Sequence, residues 1–198
     1  MLVAQAVFAS EKFIDTTYDP TVLDTVFQRV LLSKQNVVLT GMPSCGKTTV
    51  GRRLAEMTGR EFVDTDQWIT QRYGAIADIF ETHGEECFRR METEAVRELS
   101  RQCGRVIATG GGAILRSENV DALRSNGRIV FIDRPPELLT PTADRPLSKD
   151  LQAIRARYTE RYGLYTGTAD LVVDGSATPD EVAQSILEAW VGTTVPLA

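Results

Sequence analysis

The chain has 198 residues, of which 42% are hydrophobic and 25% charged, and a formal net charge of −5. That suits one soluble domain with a sizeable core, with room for an appendage. The acidic balance argues against non-specific nucleic-acid binding, which needs basic patches, and no apolar run reaches membrane-spanning length. Cys45, Cys87 and Cys103 are odd in number and lack metal-site spacing, as expected in a reducing cytoplasm.

Residues 1–34 predict two helices. Leu2, Val3, Ala6, Val7 and Phe13 form one apolar stripe. Val22, Leu23, Val26, Phe27, Val30 and Leu31 form another, introduced by Tyr18-Asp19-Pro20. No Lys or Arg precedes the apolar start, so a signal peptide is not expected. A nucleotide-binding domain normally opens at its first strand, so this hairpin reads as an extension of a domain spanning 35–198.

Asn36-Val37-Val38-Leu39-Thr40 is short, apolar and β-branched, the pattern of a buried parallel strand. Gly41-Met42-Pro43-Ser44-Cys45-Gly46-Lys47-Thr48 follows, then a helical run with Val50, Leu54 and Met57 on one face. The segment fits G-x-x-x-x-G-K-[ST] in its strand–loop–helix context. Backbone N–H groups at a helix N-terminus make a cradle for phosphates. Gly41, Pro43, Ser44, Cys45, Gly46, Lys47, Thr48 and Thr49 are therefore candidate nucleotide-binding residues. Lys47 is expected on the β- and γ-phosphates, and the Thr48 hydroxyl on Mg²⁺. Cys45 has two readings. Either its sulfur opens to solvent at a helix N-terminus beside Lys47, making it the most reactive thiol, or it packs beneath the loop. Cys87 and Cys103 are expected to be buried and inert.

A short strand over 60–63 runs into Asp64-Thr65-Asp66, and a helix follows from Trp68 to Tyr73, broken by Gly74. Ile76, Ile79 and Phe80 continue with helical spacing, and a long helix is expected from Gly84 to about Gln102. Val106-Ile107-Ala108-Thr109 is a third strand, ending in Gly110-Gly111-Gly112. A helix near 117–125 leads to a fourth strand over 129–133. Pro135, Pro136, Pro141 and Pro146 mark broken structure over 134–149. A helix over 150–163, a strand over 171–174 and a helix capped by Thr178-Pro179-Asp180-Glu181 complete the chain. Strands alternating with helices imply an α/β fold, with five parallel strands covered on both faces.

Functional groups of such sheets gather at strand carboxyl ends. At the second strand's end, Asp64 and Asp66 can divide labour, one facing Mg²⁺ and its waters and the other a substrate hydroxyl. The alternative for this pair is a loop and helix cap. The glycine triplet either lets a ligand approach bare backbone or is a tight flexible turn.

Taken with the phosphate loop, Phe62-Val63-Asp64-Thr65-Asp66, Gly84-Glu85, Phe88-Arg89, Glu92, Thr109-Gly110-Gly111-Gly112-Ala113, Arg145-Pro146-Leu147 and Arg161-Tyr162-Gly163-Leu164-Tyr165 resemble shikimate kinase. The order and spacing agree over about 36–192. The resemblance implies a P-loop kinase fold with a lid between the fourth strand and the next helix. It implies Mg-dependent transfer of the ATP γ-phosphoryl group to the 3-hydroxyl of shikimate, in cytoplasmic chorismate and aromatic amino-acid synthesis. By position, Asp66 would be the base on the substrate hydroxyls, and Asp64 would join Thr48 in the magnesium shell. Arg89 and Arg161 would hold the shikimate carboxylate, and Gly110, Gly111 and Gly112 would line the ring's pocket. Arg145 would come from the lid onto the transferring phosphoryl group, beside Lys47. Glu92 would orient Arg89.

The chain departs from the family in a short stretch over 137–144, which lacks the arginine that commonly stacks on adenine; Arg134 is the candidate substitute. Residues 1–34 carry a second resemblance, to the C-terminal end of shikimate dehydrogenase, which implies a fusion or its remnant without dehydrogenase activity. Two alternatives are another small-molecule kinase of this architecture, such as a gluconate kinase, and an inactive nucleotide-binding regulatory module. Arg89, Arg161 and the triplet argue against the first. Retention of Lys47, Thr48, Asp64, Asp66 and Arg145 argues against the second.

Overall fold

The computed structural model describes residues 2–139 and 151–192. At its centre lies β1 (Asn36–Thr40), buried along its whole length. β3 (Arg105–Ala108) pairs with it on one side and β4 (Gly127–Asp133) on the other. β2 (Glu61–Asp64) and β5 (Leu171–Asp174) complete the edges, so the five parallel strands run in the order β2-β3-β1-β4-β5. The central strands read as continuous apolar runs because both faces are covered; the edge strands are partly exposed. The expected parallel α/β sheet is therefore present.

Helices α1 (Leu2–Ile14) and α2 (Pro20–Lys34) form the amino-terminal hairpin. Asp19 caps α2 by accepting from the Thr21 N–H, as the Asp-Pro start predicts. α3 (Lys47–Thr58) follows the phosphate loop. Gly51 on α3 lies against β2, where a Cβ would sit 2.6 Å from the Phe62 ring. α4 (Thr65–Tyr73) and α5 (Ile76–Ser100) pack together over a small second core of Ile69, Ile79, Phe88 and Ala95. α5 joins the helical run expected over Ile76, Ile79 and Phe80 to the long helix expected from Gly84, with a kink at Gly84, whose φ of 77° only glycine adopts readily. α6 (Ser117–Arg124) precedes β4. α8 (Pro179–Gly192) starts with a capping box, in which the Thr178 N–H donates to Glu181 and the Glu181 N–H to the Thr178 hydroxyl.

α7 (Leu151–Thr168) is longer than the sequence pattern predicts. Gly163 and Gly167 lie within it, each costing about 1 kcal/mol against Ala in a helix interior. Aromatic packing onto the sheet offsets that cost. Tyr165 stacks on Phe131 of β4 with centroids 4.9 Å apart and rings 8° from parallel. Tyr162 meets the same ring edge-on, and the Tyr158 hydroxyl donates to Asp133 at 2.8 Å. Each side of the α7 dock therefore holds Arg161 at a fixed place above the carboxyl end of the sheet.

Candidate active site

The phosphate loop occupies the switch point of the sheet, where β1 connects to neighbours on opposite sides. Gly41 has φ 146° and passes so close to β4 that a Cβ would lie 2.7 Å from the Ile132 carbonyl oxygen. Gly46, with φ 99°, turns the chain into α3. Ser44 has φ 65°, a left-handed conformation costing a non-glycine residue roughly 1–2 kcal/mol. Such strain clusters at ligand-binding loops. The Lys47 ammonium bonds the carbonyls of Gly41 at 2.9 Å and Met42 at 2.8 Å, bracing the loop from within.

A cleft of about 290 Å³ opens beside the loop, lined by Ser44, Gly46, Lys47, Thr48, Asp64 and Asp66 among others. Thr49 and Thr109 complete its wall. Asp64 works with both oxygens. Oδ1 caps α4 by accepting from the Asp66 and Gln67 N–H groups, and Oδ2 accepts from the Thr48 hydroxyl at 2.8 Å. The helix-cap reading of this aspartate is therefore observed, and the same carboxylate also bonds the Thr48 hydroxyl.

The sulfur of Cys45 does not face this cleft. Cys45 is buried, 1% exposed, and its Sγ lies 2.8 Å from where a Gly41 Cβ would stand. Of the two readings, packing beneath the loop is the one observed, and a reactive Cys45 is ruled out by lack of access. The expectation for the other thiols is corrected too. Cys87 is half-buried and Cys103 exposed, because Cys103 falls in the turn after α5 rather than within it.

The glycine triplet after β3 is where the remaining candidates meet. The Gly110 N–H donates to the Thr65 hydroxyl at 2.8 Å, joining the ends of β2 and β3. A Cβ at Gly110 would lie 2.5 Å from Glu92 Oε1 and 2.7 Å from Asp66 Oδ1. One at Gly111 would lie 2.8 Å from the Pro43 ring, and one at Gly112 2.0 Å from Arg89 Nη1. Asp66, Arg89, Pro43 and the triplet are thus in direct contact. The Gly111 carbonyl accepts from Arg161 Nη1 at 3.2 Å and from the Tyr165 hydroxyl at 2.5 Å.

Arg89 and Arg161 are both buried, at 7% exposure each, which charged side chains seldom are without partners. Arg89 donates to Glu92 at 2.8 Å and, through Nη2, to Glu85 at 2.9 Å. Glu92 is fully buried. Desolvation pushes its carboxyl above the ordinary range, with Asp66 adding to the rise and Arg89 and Arg161 opposing it. The two glutamates hold the Arg89 guanidinium above its usual value despite its burial. Arg161 Nε has no hydrogen-bond partner among the described residues, so this guanidinium keeps donor capacity for an anion.

Arg145 lies outside the described residues. Arg134 donates to the Gly175 carbonyl at 3.0 Å and the Leu138 carbonyl at 3.3 Å, tying the loop after β4 to the loop after β5. Glu85 and Tyr165 are the contacts that sequence reasoning left without a role. The signal for both was spacing: Glu85 precedes Arg89 by four residues, and Tyr165 follows Arg161 by four.

A family model described as shikimate kinase matches residues 43–191. A shikimate kinase of Caldanaerobacter subterraneus subsp. tengcongensis is 40% identical over 166 residues, covering 79% of this chain and 96% of that protein. The structure of shikimate kinase from Acinetobacter baumannii in complex with shikimate superposes with a TM-score of 0.80 at 35% identity, over 85% of this chain and 99% of that one. A gluconokinase from Sinorhizobium meliloti superposes with a TM-score of 0.52 at 16% identity, over 81% of this chain and 93% of that one; this likeness extends to the fold alone.

Proposed function

The chain belongs to the shikimate kinase family, and on that premise we propose which of its residues carry the reaction. It transfers the γ-phosphoryl group of ATP to the 3-hydroxyl of shikimate. In this reading the loop N–H groups over 41–49 and the Lys47 ammonium hold the phosphates, with Lys47 exchanging its carbonyl partners for phosphate oxygens. Asp66 accepts the proton of the attacking hydroxyl as it forms its bond to phosphorus. Arg89 and Arg161 bind the substrate carboxylate through planar paired donors. The triplet forms the floor beneath the ring, and Arg145 neutralises charge on the transferring group.

Magnesium fits the residues present. Mg²⁺ keeps several waters and leans on substrate phosphates, taking only one or two protein ligands. The Thr48 hydroxyl and Asp64 carboxylate, hydrogen-bonded to each other at the cleft wall, are donors of that kind. When bound, the ion would neutralise phosphate charge and orient the β- and γ-oxygens. Among the described residues no helix is long and apolar enough to cross a membrane, and we place the enzyme in the cytoplasm. Residues 1–34 we read as an appendage to a kinase domain of 35–198, related to a fused shikimate dehydrogenase through the resemblance noted above.

The observation that carries the substrate reading is the pair of buried arginines set around one glycine triplet beside Asp66. A compact acceptor bearing both a carboxylate and hydroxyls matches that arrangement. A coupled ADP-release assay with shikimate, gluconate and a nucleoside monophosphate, each with and without Mg²⁺, tests it. Mg-dependent turnover confined to shikimate is the expected result. Preference for either other acceptor would overturn it.

A further inference from the structure

Tyr165 is the one aromatic of α7 that is fully buried, at 1% exposure, and its polar end faces the site rather than solvent. Its hydroxyl donates to the Gly111 carbonyl at 2.5 Å, and Arg161 Nη1, one helical turn earlier, donates to the same oxygen at 3.2 Å. A carbonyl oxygen has two lone pairs, so these two donors fill it. We propose that Tyr165 is a positioning residue for substrate binding: by sharing the Gly111 carbonyl with Arg161, it fixes the glycine triplet and aims the arginine at the substrate carboxylate. This rests on the reading of Arg161 given above and deepens it.

Three observations support the assignment. First, the hydroxyl is held rigidly, because the ring lies flat on Phe131 of the sheet. A tyrosine has only two side-chain torsions, and stacking fixes both. Second, the peptide it holds is in close contact with other functional groups on either side. Gly110 abuts Asp66 and Glu92, and Gly112 abuts the Arg89 guanidinium. A tilt of the Gly111 carbonyl therefore moves the floor of the pocket against both arginines and the proposed base. Third, burial raises the Tyr165 hydroxyl far above its ordinary value, so it remains a donor throughout the working range of pH.

A purely structural tyrosine would lose stability on removal of its hydroxyl and leave substrate affinity unchanged. A positioning tyrosine would show a selective change in shikimate KM. Tyr165→Phe keeps the ring and its stacking and removes only the donor. The expected result is a shikimate KM raised roughly threefold to tenfold, the range for loss of one neutral hydrogen bond, with the ATP KM within about twofold of the parent. In the Arg161→Ala background, Tyr165→Phe should raise shikimate KM by a smaller factor than in the parent, because the arginine it aims is gone and only its hold on the triplet remains; this non-additivity is the readout that stability cannot imitate.

Steady-state assays on the full chain, run for the parent, both single variants and the double, decide the matter. An unchanged shikimate KM in Tyr165→Phe overturns the proposal, as does a full additive effect in the Arg161→Ala background. So does a parallel rise in the KM of both substrates, which marks a loosened fold. An Arg161→Ala variant with normal shikimate KM would instead remove the carboxylate reading itself, and is distinguishable because it needs no tyrosine variant. Should Tyr165→Phe fold poorly, Phe131→Leu loosens the stacked ring while keeping the hydroxyl. The same selective rise in shikimate KM is then expected, and its absence counts against the proposal.

Discussion

Arg89 sits between a structural and a functional demand, and a pair of substitutions separates them. Arg89→Met removes the guanidinium and keeps much of the side-chain volume. Glu92, wholly buried and bonded to Arg89 at 2.8 Å, then loses its counter-charge. Breaking a buried pair from one side costs roughly 3–5 kcal/mol. Proton uptake by Glu92, whose carboxyl is already raised by burial, trims the loss toward the lower figure. For a chain of this size, about 3 kcal/mol corresponds to a Tm fall of roughly 6–12 °C. Adding Glu92→Gln removes the orphaned acid, so the double variant should recover most of the stability. Shikimate binding should not recover with it. Charge-assisted hydrogen bonds contribute roughly 1.5–3 kcal/mol, which predicts a KM rise of about tenfold to 150-fold in both variants. Thermal unfolding followed by circular dichroism and a coupled ADP assay measure the two effects separately. Either a stable Arg89→Met protein or a double variant with restored shikimate KM would refute the reasoning.

Asp66→Asn should depress kcat by orders of magnitude while leaving ATP binding near normal, measurable by isothermal titration with a non-hydrolysable analogue; near-normal turnover together with an inactive Asp64→Asn would mean that the two roles are exchanged. Limited iodoacetamide labelling with mass-spectrometric mapping should modify Cys103 first and Cys45 last, following exposure; early labelling of Cys45 would contradict the packing beneath the loop. Deleting residues 1–30 should leave the kinase folded and active, whereas deletion through Lys34 should lower Tm further. The second cut removes Leu32, which packs on the core, with its carbonyl bonded to Arg60, and the Lys34 carbonyl bonded to the Gly104 N–H. Glu92 has a raised folded-state value, so its contribution to stability is complete below its ordinary 4.5 and lost as pH rises through the folded-state value. The stability of the parent relative to Glu92→Gln should therefore decline as pH rises above the ordinary 4.5 in urea melts.

Much of the scaffold was legible because one physical rule governed each element. β1 had to be buried on both faces, so its centre, Val37-Val38-Leu39, is apolar and its strand assignment was unambiguous. The same holds for the Thr178–Glu181 cap of α8, where local hydrogen bonds decide the start of the helix. The misread boundaries are those where tertiary contact overrides local preference. Gly163 and Gly167 argue for an end to α7, yet the stacked Tyr165 carries the helix on to Thr168. Gly84 separates two helical runs in the sequence, yet α5 carries both, with Gly84 as the kink between them. Side-chain direction was less accessible still. A cysteine at a helix N-terminus can face solvent or core with the same sequence; in this fold Cys45 is turned inward, its Sγ against Gly41.

The glycine triplet shows why the site's chemistry could be guessed more readily than its construction. Three glycines in a row read either as flexibility or as access for a ligand. None of the three has a positive φ, so backbone conformation does not require glycine at any of them. What requires it is space. The absent Cβ atoms would strike Glu92 and Asp66 at position 110, Pro43 of the phosphate loop at 111, and Arg89 at 112. Each glycine thus brings a different part of the site against the same strand end, and close packing rather than mobility is their common purpose. The obstacles also differ in kind. Those at 110 and 112 are the polar ends of side chains, which yield at the cost of their interactions, whereas the proline ring at 111 cannot turn away. The Gly111 peptide is also the one fixed from the other side by Arg161 and Tyr165. The middle glycine is therefore the position where the nucleotide loop, the substrate-binding arginine and the sheet are mechanically joined.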